Sequence, residues 1–183
     1  RVDLNAANHA MLAALIAVLL APMLAYANRI AGSGITSKVT RLSSVGYAIP
    51  GTVLGIGVLI PLAGLDNALD TFMRDTFGMS TGLVLSGSIA AVVFAYVVRF
   101  LAVSFGSIES GLEKVTPNVA AAARTLGRGP IAAFFEVHLP LLRPALVAAA
   151  LLVFVDCMKE LPATLILRPF NFETLATTVF TLA

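Results

Sequence analysis

Apolar residues run almost unbroken through four stretches of this chain, at about residues 9–27, 45–65, 82–103 and 141–158. A helix needs about 20 apolar residues to cross the hydrocarbon core of a bilayer, so each stretch is predicted as a transmembrane helix. Prolines fall within them: Pro22 in the first, Pro50 and Pro61 in the second, Pro140 and Pro144 where the fourth opens. Near a helix start proline costs little, because the first N–H groups have no helical partner. Deeper inside, neighbouring helices re-satisfy the carbonyls it frees. A fifth apolar stretch, residues 175–183, cannot span. It is read as the start of a truncated helix in preference to a short interfacial one. The pattern predicts an all-α, polytopic transmembrane helix bundle, a single domain over 1–183, forming a piece of a longer protein that carries further flanking helices.

Composition agrees. Hydrophobic residues make up 58% of the chain and charged residues 12%, against about 25% charged in a soluble domain. Lipid is therefore an expected partner. The net charge of +2 is too small to argue for nucleic acid. One cysteine, Cys157, excludes an intramolecular disulfide and any multi-cysteine metal site; in its apolar run it reads as a small core residue. With no Trp, an aromatic belt would fall to Tyr26, Tyr47, Tyr96 and the phenylalanines.

Charge in the connecting loops sets the orientation. The loop 28–44 holds Arg29, Lys38 and Arg41 and no acid, and the loop 104–140 holds Lys114, Arg124 and Arg128. The loop 66–80 sets Arg74 against Asp66, Asp70 and Asp75. Basic loops stay on the cytoplasmic side, which places 28–44 and 104–140 there.

Residues 116–140 have an internal plan. Thr116 can cap a helix, Pro117 suits its first position, and VAAAARTL is a good helix former. Gly127 suits the left-handed position just past the helix end. Pro130 then opens a second short helix that leads into the membrane near Leu139 and Pro140.

This stretch, AAARTLGRGPIAAFFEVHLP at 121–140, resembles the cytoplasmic coupling loop of ABC-importer permeases. That pattern is Glu-Ala-Ala, three residues, Gly, nine residues, Ile, one residue, Leu-Pro. Here Ala121, Ala122 and Ala123 begin it, with Gly127, Val137, Leu139 and Pro140 at the matching positions. Ala121 stands where the family usually has glutamate, so Arg124 and Arg128 are the candidates for polar contact with an ATPase. LSSVGYAIPGTVLGIGVLIP at 42–61, AYVVRFLAV at 95–103 and VFVDCMKELPATLILRPFNFETLAT at 153–177 extend the likeness, and these look like ferric-iron uptake permeases. The chain is similar to the C-terminal half of the duplicated form of that permease. The resemblance implies an inner-membrane bundle that pairs with a second permease half or a homologous permease. It also implies ATP-binding cassette ATPase subunits and an extracytoplasmic substrate-binding protein as partners. Sister permeases for thiamine, polyamine, sulfate or phosphonate share the coupling loop and remain alternatives. A membrane scaffold or assembly protein is the alternative of another class.

Asp156, Lys159 and Glu160 fall at the outer end of the fourth predicted helix. Spaced four apart, the two acids are expected to share a face, as a station on the substrate path or as a salt-bridged helix end. Two acids with no His nearby make a poor metal site, so none is assigned. Gly51, Gly55 and Gly57 provide a GxxxG step, read as a packing device. Ser86, Gly87 and Ser88 are read as small packing residues on the third helix, and His138 as a surface or helix-end group. No catalytic grouping and no phosphate-binding GxxxxGK[ST] is visible. The chain is read as a non-enzyme without a cofactor, driven by a partner's ATP hydrolysis.

Overall fold

The small residues of the first apolar stretch decide how the bundle packs. In the computed structural model, which describes residues 2–31, 38, 45–170 and 172–182, α1 (Val2–Ala31) buries a stripe of Ala10, Ala13, Ala14, Ala17, Ala21 and Ala25. Alanines at helical spacing let backbones approach closely. They pack against α3 (Ile89–Glu113) and α6 (Arg143–Lys159). Ser104 of α3 donates to the carbonyl of Ala17 at 3.2 Å. The large side chains of α1, among them Met11, Leu15, Leu19 and Met23, point outward. Small residues inside and large ones outside is the arrangement of a helix whose solvent is lipid.

Among the described residues, three helices are long and apolar enough to cross a membrane: Ala7–Ile30 within α1, α2 (Gly51–Phe77) and α3. A fourth span forms if α5 (Pro130–Leu141) and α6, bent by 71° at their junction, count as one. The protein is thus an all-α polytopic membrane bundle, as the pattern predicts. Shorter helices complete it: α4 (Pro117–Thr125), α7 (Pro162–Leu167) and α8 (Leu175–Leu182). Most of the loop 28–44, including Arg41, lies outside the described residues, as does Ala183.

The helix boundaries differ from the apolar runs, for local reasons. Residues 45–48 form a separate helical turn, and Pro50 ends it, so α2 begins at Gly51 rather than 45. At its other end α2 continues to Phe77 through most of the expected loop 66–80. The acids there are satisfied by the chain that follows. Asp66, fully buried, accepts the backbone N–H groups of Val84, Leu85 and Ser86 at 3.1, 2.8 and 2.6 Å. One turn later Asp70 accepts those of Thr81 and Gly82 at 2.7 and 3.1 Å and pairs with Arg74 at 2.8 Å. The expected third helix starts at 89, not 82. Ser86, Gly87 and Ser88 are turn residues rather than packing residues on a helix, and the Ser88 hydroxyl accepts from Ala91 N at 3.2 Å as a cap. That helix also runs on to Glu113, through the first part of the expected loop 104–140.

Beyond α6 the chain turns back into the bundle. Glu160 leaves the helical conformation, and α7 packs against α2 and α3 with Ala163, Thr164 and Leu167 buried. Gly51 and Gly55 face this segment: a Cβ on Gly51 would collide with the Glu160 carboxylate, and one on Gly55 would sit 3.2 Å from Ile166. Gly57 faces open space, so only two of the three glycines pack closely. Tyr96 is buried and hydrogen-bonded to Thr164 at 2.5 Å, so it belongs to this core and to no aromatic belt. Cys157 is buried, as expected of a core residue.

Candidate coupling site

The loop 116–140 folds as a short helix, a glycine turn and a second helix. Thr116 occupies the N-cap position in extended conformation, but its side chain makes no capping bond; Pro117 fixes the first turn instead. Ala121 and Ala122 are exposed on α4, and Ala123 faces inward. Gly127 sits at φ 75°. Its N–H donates to the Arg124 carbonyl at 2.9 Å, and that of Arg128 reaches back to the Ala123 carbonyl at 2.9 Å. These two bonds are the Schellman arrangement, which ends a helix through a left-handed residue. A salt bridge at 3.1 Å from Arg128 to Glu136 crosses the turn. Arg124 is exposed and forms no ion pair among the described residues.

The second helix is not uniform. Phe134–His138 forms a π-helical turn within α5, which shifts the helix phase where α5 approaches the bend. Leu139 is half-buried and Pro140 exposed, and Leu142 is buried at the junction with α6. A displacement of α4 would therefore pass through α5 to the foot of α6.

Three residues of this site were not assigned to it from the sequence. Tyr26 donates its hydroxyl to the Pro130 carbonyl at 2.9 Å, fastening α5 to α1. Arg29 donates to the carbonyls of Leu112 and Val115 at 2.6 and 2.5 Å, fastening α1 to the junction of α3 and α4. His138, expected near the surface, is instead buried at 1% exposure, with its ring 4.8 Å from that of Tyr26. Partners on another helix cannot be read from a single stretch of chain. The lone hint was an aromatic and an arginine at the end of an apolar run.

At the far end of α6 the acidic cluster is divided. Asp156 pairs with Lys159 at 2.7 Å. Glu160 has left the helix, so it does not share a face with Asp156; it turns inward to Arg99 of α3, with Nε and Oε2 3.1 Å apart. Among the described residues no group of three or more His, Cys, Asp or Glu is placed to hold a metal.

A Haemophilus influenzae protein named Fe(3+)-transport system permease protein FbpB 2 is 27% identical over 169 residues, 92% of this chain and 30% of that protein. The chain is similar to the permease proteins of bacterial transport systems. Haemophilus influenzae also has a molybdenum transport system permease protein, ModB, that is 30% identical over 70% of this chain and 54% of its own length. A Salmonella paratyphi A permease, PhnV, named provisionally for 2-aminoethylphosphonate transport, is 30% identical over 77% of this chain and 48% of its own length. No known family model matches the chain. The chain thus spans between about a third and about half of these relatives. They are transport permeases by name, as the resemblance to ferric-iron uptake permeases leads one to expect. With its membrane-capable helices, the chain is a multi-pass protein of the cytoplasmic membrane.

Proposed function

We propose that this chain is part of the translocating subunit of an ABC importer, with ferric iron as its substrate. The observation that carries the reading is the glycine turn at 127, set between two helices at the coupling-loop spacing and joined through a bend to a membrane helix. In this reading α4 presents Ala121 and Ala122 to a groove on an ATPase subunit. Arg128, paired with Glu136, braces the glycine turn behind that face. ATP hydrolysed by that partner moves α4 and α5, and the bend passes the motion to α6. An extracytoplasmic binding protein delivers substrate, and a second permease half completes the path. Asp156 and Lys159, at the outer end of α6, lie beside that path, whereas Glu160 anchors the fold.

Iron is favoured because the likeness to a ferric permease covers nearly the whole chain. The molybdenum and phosphonate relatives support a sister permease as the second reading. Cells expressing the full-length gene are expected to accumulate labelled ferric iron when its ATPase and binding protein are present. Accumulation of molybdate, 2-aminoethylphosphonate, thiamine or sulfate instead would assign the sister function. Loss of none of these on gene deletion would point to a scaffold.

A further inference from the structure

Two cavities meet where α1 ends. One, of about 470 Å³, is apolar, with Met23, Ala27, Phe134 and Phe135 in its wall. The other, of about 390 Å³, is walled by Arg29, Arg124, Arg128 and His138. Tyr26, Ile30 and Pro130 line both, so the two adjoin. Met23 lies about 9 Å deeper along α1 than Arg29, which sets the apolar half toward the membrane and the cationic half toward the coupling loop.

Three arginines face this cleft, and Arg29 also lines a neighbouring pocket with Glu109 and Glu113. Of its three arginines only Arg128 has a carboxylate partner among the described residues. Arg29 spends its donors on neutral carbonyls. His138, almost fully buried, has Nδ1 3.0 Å from the Ala133 carbonyl, and its Nε2 has no partner among the described residues.

We propose that this cleft binds an anionic phospholipid, with the phosphate between Arg29, Arg124 and His138 and an acyl chain over Phe134 and Phe135. A free anion would need only the cationic half. The adjoining apolar cavity is what a lipid uses, and basic groups at the cytoplasmic membrane surface attract anionic headgroups. Such a lipid would brace α4 and α5 against α1. The inference rests on the orientation that puts the coupling loop on the cytoplasmic side.

The test uses the full-length permease purified in detergent, with retained lipid counted by native mass spectrometry. Phosphatidylglycerol is expected to be retained over zwitterionic phosphatidylethanolamine. Arg124→Gln should weaken that retention about fivefold, the effect of one surface arginine. Ala27→Trp, which fills the apolar half, should weaken it as well. Inorganic phosphate should not displace the lipid. Equal retention of both lipids, or unchanged retention in both variants, would overturn the proposal. Displacement by inorganic phosphate would replace the lipid with a simple anion. Failure of the ABC reading would appear separately, as absence of a co-purifying ATPase with lipid retention intact.

Discussion

Arg99, within α3, and Glu160, where α6 ends, lie 3.1 Å apart with side chains 16% and 8% exposed. Arg99 also donates to the Ile49 carbonyl at 2.6 Å, and Glu160 accepts the N–H of Ala163 at 3.3 Å. The pair therefore ties the outer end of α6 to α3, to the approach to α2 and to the start of α7. Ion pairing at this depth follows from the expense of a lone charge in a membrane bundle.

Glu160→Gln keeps the shape and the acceptor for Ala163 but leaves Arg99 unpaired. Breaking a buried pair costs about 3–5 kcal/mol, so thermal stability in detergent and membrane abundance should fall, with uptake falling in proportion. Arg99→Met combined with Glu160→Gln should recover part of the stability. Lost uptake with unchanged stability would instead place Glu160 on the substrate path.

Asp66 holds three backbone N–H groups of the turn before α3. Asp66→Ala leaves these donors without their acceptor in a buried site, at about 1–3 kcal/mol for an unsatisfied group. The expected result is a lower melting temperature and earlier proteolysis around residues 78–88. Wild-type resistance there would show that the carboxylate is dispensable to the turn.

Gly127 has positive φ, and nothing lies within 4 Å of a Cβ placed on it. The cost of Gly127→Val is therefore conformational, about 1 kcal/mol or more, and local to the turn. Membrane abundance should hold while ATPase co-purification and transport fall. Gly127→Asn should lose less, since Asn tolerates the left-handed region. Normal transport by the valine variant would separate the turn from coupling.

Topology can be read with single cysteines in a Cys157→Ala background. Ser110 and Asp75 are both exposed, each near the C-terminal end of its helix, and the successive spans α3 and α2 cross in opposite directions. An impermeant thiol reagent applied to intact cells should label Asp75→Cys and spare Ser110→Cys. The reverse pattern would invert the orientation.

The sequence by itself determined that this is a membrane bundle and where its candidate coupling loop lies. Both are written locally, one in runs of apolar residues and the other in a spacing of about 20 positions with Pro117, Gly127 and Pro130 as its corners. Residues 66–80 show where local reading stopped. Their charges suggested a loop, yet Asp66 and Asp70 lie on a helix because backbone donors from residues 81–86 fold back onto them. The same holds for Asp156 and Glu160. Helical spacing put them on one face, but the helix ends between them, and Arg99 draws Glu160 inward. Tyr26, Arg29 and His138 join the candidate coupling site only because α1 packs where it does. A long-range polar partner is chosen by which helices touch, and that choice rests on the alanine stripe of α1 meeting α3 and α6 and on Gly51 and Gly55 meeting the segment that leads through α7.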